Sequence, residues 1–249
     1  MRYFLELSYN GKAYHGWQNQ PNAISVQEVI ENIISKLLNT EIKIVGAGRT
    51  DAGVHAKQMF AHFDLDEKIE REDLKYKLNA FLPKDIAVHA IFEVKPDAHA
   101  RFNATSRSYL YRLSLEKDAF NFDSAYYLKK HLNINLMNQA AKELLGHKDF
   151  QCFSKTHTDV KTYYCDIQNA NWQQIGNELH FTITADRFLR NMVRAIVGTL
   201  INVGLEKITV EDLQAIIASK NRSEAGYSVP AHGLYLTKIE YPEAITNDR

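Results

Sequence analysis

The sequence predicts an α+β protein of the wider α/β class: two similar mixed α/β halves around a largely antiparallel sheet, with a central cleft. Three observations carry this expectation. The first half reads as a β-α-β-β-α-β-like alternation, and a comparable series follows in the second half. The composition is that of an ordinary globular chain, with 45% apolar residues, 11% aromatics and 5 prolines in 249 residues.

Residues 3–9 alternate as a strand and end at the turn signal Asn10-Gly11. A helix fits 26–38: Ser25 and Glu28 have capping-box spacing, and Val26, Val29, Ile30, Ile33, Ile34, Leu37 and Leu38 line one side. Lys43 to Gly46 reads as a short strand entering a Gly-rich run over 46–53. A strand at 56–65, a helix at 70–80 and a strand at 86–94 complete the first series. The second series has a strand at 107–116 and a helix from Ile134 to Leu145. Paired strands at 160–170 and 178–186 follow, meeting at the polar stretch around Gly176-Asn177. A helix at about 189–203, a last helix at 210–219 capped by Thr209, and a closing strand at 234–241 finish it. The halves are expected to divide near residues 96–106, giving 1–100 and 101–249.

Composition excludes some functions and leaves others open. No apolar run reaches the ~18 residues of a membrane-spanning helix. The chain begins directly with strand-like alternation, without a secretory pattern, so a cytoplasmic protein is expected. Thirty basic residues balance thirty acidic ones. If a nucleic acid is the partner, positive charge must be gathered locally in a basic cleft, offset by acidic outer surfaces. Cys152 and Cys165 lack metal spacing or a redox motif and read as buried, reduced thiols. His55, His62, His89 and His99 show no recurrent ligand spacing, and no Walker motif, dinucleotide fingerprint or zinc cluster appears.

The run GAGRTDAGVHA, residues 46–56, is the most informative segment. Its glycines and alanines permit tight turns and close approach of a substrate. Arg49 and Asp51 stand in the middle of these small neighbours. A carboxylate placed there can act as nucleophile or base, and a nearby cation favours its charged form. The same run alone also fits a structural turn with a surface Arg-Asp pair. Between 187 and 201, Leu189, Met192, Val193, Ile196, Val197 and Leu200 form an apolar face. Arg187, Arg190 and Arg194 follow three-and-four spacing on the other side, which predicts one helix turning three cations toward a cleft or toward solvent. On the strand RSYLYRL, Tyr109 and Tyr111 share a side, where they either pack or stack on a base.

The run GAGRTDAGVHA resembles the catalytic segment of the tRNA pseudouridine synthase A family. FNATSRSYLYRL at 102–113 resembles that family's second motif, FLRNMVRAIVGTLINVG at 188–204 its third, and VPAHGLYLTKIEYP at 229–242 its closing strand. The opening LSYNGKAYHGWQNQP and the following SVQEVIE are also similar, so the resemblance covers essentially the whole chain. It implies that Asp51 is the catalytic aspartate and that Arg49 helps draw the target nucleotide from its stack. It also implies that Tyr109 lies against the base and that Arg194 pairs with the carboxylate. Tyr111 then reads as packing, and Arg187 and Arg190 as phosphate contacts that position RNA without reading its sequence.

The implied activity is isomerisation of uridine to pseudouridine without a small-molecule cofactor or metal. The implied substrate is tRNA, at positions 38, 39 and 40 of the anticodon stem-loop, and the implied assembly is a homodimer. Asp51 would attack C1′ of the ribose or remove the C2′ proton, and a base, for which Tyr109 is a candidate, would take the C5 proton. Two other readings stay open on the residues alone. A noncatalytic RNA-binding module would share the architecture, and a phosphate-handling enzyme would explain the Gly-rich run in isolation.

Overall fold

A computed structural model describes residues 1–156 and 160–246. The chain forms two compact units: Met1–Thr105 with Leu236–Arg249, and Ser106–Tyr235. Each contributes mostly antiparallel strands and flanking helices, the mixed α/β architecture expected from the two alternating series.

In the first unit, β1 (Arg2–Tyr9) lies between β3 (His55–Asp64) and β4 (Ile86–Val94), antiparallel to both. The short β2 (Val45–Gly46) pairs with β3, and β9 (Leu234–Glu240) is also a neighbour of β3. Tyr3, Leu5, Leu7 and Tyr9 are buried along one side of β1. Phe4, on the other side, meets Phe60, Phe92 and Tyr241. The strand thus buries residues on both faces, though Arg2, Glu6 and Ser8 interrupt its apolar run. Its register shifts between Leu7, opposite Met59, and Tyr9, opposite Ala56. Such a bulge re-aims the side chain that follows it.

Helix α1 (Val26–Leu38) occupies the expected residues. Ser25 caps it by accepting the N–H of Glu28 at 3.1 Å, and its hydroxyl proton goes to Asn19. Asn39 closes the helix in the left-handed region, φ 50°. Buried Glu31 accepts from Asn19, Gln27 and the N–H of Ile44, tying the loop before the helix to the chain after it. Helix α2 (Arg71–Phe81) packs on β4.

At the far end of this sheet, Arg2 forks onto Asp64 with two 2.7 Å bonds and also holds the carbonyl of Ala98. His62 lies beside this fork with its Nδ1 accepting the N–H of Ala100. Burial, the nearby Arg2 charge and His99 push its pKa down from 6.5 to about 4. The unfolded chain therefore binds this proton first. Stabilisation from neutral His62 is complete above pH 6.5 and is lost as pH falls toward 4. Urea denaturation at pH 7 and pH 5 should show lower stability at the acid value. His62→Gln, which keeps an acceptor for Ala100, should flatten that slope; an unchanged slope would remove His62 as its source.

In the second unit, β5 (Ser106–Ser114) pairs with β8 (Glu178–Ala185), which pairs in turn with β7 (Ile167–Ile175). The two-residue β6 (Tyr126–Tyr127) runs parallel to β5. Arg112 and Glu178 join β5 to β8 through a bidentate pair at 2.9 and 2.7 Å. Helix α3 (Ile134–Glu143) packs on β7, on α4 (Met192–Gly204) and on α5 (Val210–Ser219). Thr209 and Asp212 close a full capping box on α5. Cys152 and Cys165 are free and buried, and burial pushes both thiols up to about 12.

Two expected elements move. The strand placed at 160–170 is Ile167–Ile175. The hairpin turns at Gly176, φ 58°, and β8 pairs back residue by residue from Glu178, which fixes its partner to 167–175. The polar residues Gln168, Asn169, Asn171, Gln173 and Gln174 on the exposed side hide this strand from an apolar pattern. The helix placed at 189–203 starts only at Met192, because Asn191 is left-handed, φ 68°. Arg187 and Arg190 thus precede α4, and the predicted single helical face of three arginines does not form. Only Arg194 of the three belongs to the helix.

Candidate active site

The run 46–56 folds as a loop from the end of β2 to the start of β3. Arg49 at its crest is exposed and Asp51 is half-buried. Small residues leave this loop few side chains with which to hold itself. A second segment, 9–17, holds it from below. The hydroxyls of Tyr9 and Thr50 meet at 2.9 Å. The Thr50 carbonyl accepts the N–H of Trp17, and the Tyr14 carbonyl accepts the N–H of Gly53. Gly53 needs its glycine, because its φ is 78° and the next residue, Val54, donates back to the Asp51 carbonyl at 3.1 Å.

The two segments approach as closely as glycine permits. A Cβ on Gly11 would stand 2.0 Å from the Val54 carbonyl oxygen, and one on Gly16 would stand 2.3 Å from that of Thr50. Gly46 lies against the indole of Trp17. Gly11 also donates its N–H to Nδ1 of buried His55, so this histidine carries its proton on Nε2 and serves the clamp. Tyr14 donates to Asp85 at 2.6 Å, and burial followed by this bond raises its pKa. The sequence pointed to 46–56 and to a similar opening segment. It gave no signal that Tyr9, Gly11, Tyr14, Gly16 and Trp17 hold the loop, because the contact bridges more than thirty residues.

The second unit places the other candidates. Tyr109 is half-buried on β5 and meets Phe188 edge to face, centroids 5.1 Å apart. Tyr111, two residues on, is fully buried and donates to the Pro230 carbonyl at 3.0 Å. Burial raises its pKa strongly, Tyr126 and Tyr227 add to this, and Arg194 opposes it. Tyr111 is therefore a packing residue that keeps its proton. Arg187 sits in the segment before α4 and reaches the Thr162 carbonyl at 3.5 Å; Arg190 is exposed beside it, its own carbonyl accepting the N–H of Lys155.

Arg194, in the first turn of α4, is half-buried. Its Nε donates to the Val229 carbonyl at 2.7 Å, and its backbone carbonyl accepts the Val229 N–H at 3.2 Å. With Nε engaged, the guanidinium's plane is set. A strap over 225–230 makes this arrangement. Gly226 donates to Thr199, Ser228 accepts from Asn191 and Arg222, and the Tyr227 carbonyl rests on Gly198. Asn191, Arg222 and Ser228 are supporting residues that no sequence pattern singled out.

Asp51 and Arg49 thus share one braced loop, whereas Tyr109 and Arg194 belong to the second unit. A carboxylate on a loop of small residues is suited to attack on, or proton removal from, a substrate that approaches the backbone closely. Among the described residues no group of His, Cys, Asp and Glu is arranged to hold a metal ion.

Comparison with known proteins places the chain in a family. Residues 7–103 and 140–242 match the family model described as tRNA pseudouridine synthase. The chain is 54% identical to tRNA pseudouridine synthase A of Parabacteroides distasonis over 245 residues, covering 98% of this chain and 97% of that protein. It is 50% identical to the protein of the same name from Bacteroides fragilis, with 98% of each covered. It is 38% identical to that of Bacillus subtilis, covering 97% of this chain and 99% of the other. The run of small residues around Asp51 and the ordered motifs after it therefore have one explanation: the chain belongs to the tRNA pseudouridine synthase A family.

Proposed function

We propose that the protein isomerises uridine to pseudouridine in tRNA, at positions 38, 39 and 40 of the anticodon stem-loop. Asp51 is the catalytic carboxylate in this reading. The observation that carries it is the half-buried Asp51 on a loop of small residues, clamped at Thr50 and Gly53, within the motif that resembles the family's catalytic segment.

The reaction breaks the N1–C1′ bond, turns the uracil within the site and joins C5 to C1′. The C5 proton leaves and N1 gains one, so the product is an isomer. Asp51 acts on the ribose, either by attack at C1′ or by removal of the C2′ proton. Tyr109 lies against the uracil and is the candidate to relay the C5 proton. Arg194 is the cationic partner of the carboxylate that the resemblance assigns. Arg187 and Arg190 contact phosphates; their place ahead of α4 suits residues that track a backbone. The reading requires no small-molecule cofactor. It takes the protein to be a cytoplasmic homodimer, for which sedimentation should give twice the chain mass.

Reaching C1′ in a paired stem requires the nucleotide to leave its stack, at a cost of a few kcal/mol. Arg49, exposed at the loop crest, is assigned to this step. Arg49→Ala should slow modification of stem uridines about tenfold more than that of loop uridines. Single-turnover assays on transcripts carrying one target each would measure this, and equal losses would deny Arg49 the role. Position-resolved pseudouridine mapping of a tRNA pool treated with the purified protein tests the function itself. Product at 38–40 supports it, and binding without product would favour an RNA-binding module.

A further inference from the structure

Asp51 has to be held in a fixed place, yet the residues around it are poor anchors. Ala47, Gly48, Ala52 and Gly53 have little or no side chain, and Arg49 is exposed. Thr50, immediately before Asp51, is the residue of the run whose side-chain hydroxyl is bound from beneath. Its partner is Tyr9, the last residue of β1, which is 4% exposed and whose ring centroid lies 6.1 Å from that of Trp17. Two features show that Tyr9 is placed for this contact. The register shift between Leu7 and Tyr9 re-aims the strand end, and the Trp17 N–H takes the Thr50 carbonyl from the same segment.

We infer that Tyr9 is a positioning residue for the reaction: its hydroxyl, paired with that of Thr50, fixes the orientation of Asp51 toward the ribose. This rests on Asp51 being the catalytic carboxylate. Backbone bonds to Thr50 and Gly53 locate the loop, and the Tyr9–Thr50 bond adds a side-chain anchor at the residue directly before Asp51. A group that must be aimed to within ~0.5 Å and 10–20° loses rate sharply when its support loosens.

Tyr9→Phe removes one oxygen and keeps the buried ring. In single-turnover reactions on an unmodified tRNA transcript, it should lower the rate constant about tenfold while tRNA affinity changes less than about twofold. Thr50→Val, approached from the other partner, should give the same loss, and the double variant should be no slower than either. Thr50→Ser, which keeps the hydroxyl, should restore most of the rate. A Tyr9→Phe rate within twofold of wild type would overturn the proposal. So would multiplying losses in the double variant, or a loss that appears only in tRNA affinity. If Tyr9→Phe fails to fold, the Thr50→Ser and Thr50→Val pair decides, since both act at the loop and differ in the hydroxyl; if Thr50→Val fails to fold, Tyr9→Phe decides. Asp51→Asn measured alongside separates the two levels. A normal rate there would remove the underlying assignment, whereas an inactive Asp51→Asn with a normal Tyr9→Phe would remove only this inference.

Discussion

Asp51→Asn is expected to lower pseudouridine formation by ~10⁴-fold or more while leaving tRNA binding within a few-fold of wild type. The substitution exchanges one oxygen for an amide nitrogen of nearly the same size, so it removes the charge and basicity that either chemical route requires. The fold should tolerate it. Asp51 is half-buried, and the loop is held by its neighbours: Thr50 through Tyr9 and Trp17, and Gly53 through Tyr14. The Val54 N–H uses the Asp51 main-chain carbonyl, which the substitution keeps. Mass spectrometry of a tRNA transcript after pseudouridine-specific derivatisation measures the product, and fluorescence anisotropy measures binding. Turnover within tenfold of wild type would take the catalytic role away from Asp51. Loss of binding in parallel with loss of product would instead make it a binding residue.

Gly198→Ala is expected to destabilise the protein by about 3 kcal/mol, against the usual direction of that change. Inside a helix, replacing glycine by alanine ordinarily stabilises by ~1 kcal/mol. Gly198 lies in the middle of α4, but its Cα faces the strap, and a Cβ there would stand 1.8 Å from the Tyr227 carbonyl oxygen. The obstacle is backbone, so it cannot swing aside as a side chain would. Lifting the strap strains the bond from Gly226 to Thr199 and the two bonds between Arg194 and Val229. The thermal midpoint should fall by about 10 °C. Activity should fall as well, because Nε of Arg194 loses the carbonyl that sets the guanidinium's plane. A variant as stable as wild type would show that the strap does not bear on the helix.

Local chemistry was readable from the sequence wherever the signal was itself local. The cap at Ser25 and the apolar stripe from Val26 to Leu38 placed α1 to the residue. Alternation placed β1 and β4, and the family-like motifs placed Asp51, Tyr109 and Arg194 on a loop, a strand and a helix. Tyr109 and Tyr111, read from the sequence as sharing one side of the strand, differ in burial, one half-buried and one fully buried. The failures share a cause. Apolar periodicity around Leu189 runs on into α4, so it did not reveal that Asn191 turns left-handed and leaves Arg187 and Arg190 outside the helix. Strand β7 is polar on its outer side, and its bounds come from pairing with β8. The clamp and the strap are fixed by contacts between distant segments, such as Tyr9 with Thr50 and Gly198 with Tyr227. Those contacts leave only glycines, four aromatic residues (Tyr9, Tyr14, Trp17 and Tyr227) and a few polar residues in the sequence, each of which is common elsewhere for other reasons.

The return of β9 to the first unit has a consequence for how the molecule is made. Residues 1–105 leave the ribosome long before Leu236–Glu240, yet those last residues supply a strand alongside β3. Until they emerge, β3 keeps a partly unpaired edge, covered from Phe60 to His62 by β2 and the N–H of Ala47. An open strand edge is a template for pairing with another nascent chain. Synthesis from one end therefore cannot finish the first unit before Leu236–Glu240 are made, although residues 1–105 have long been in place.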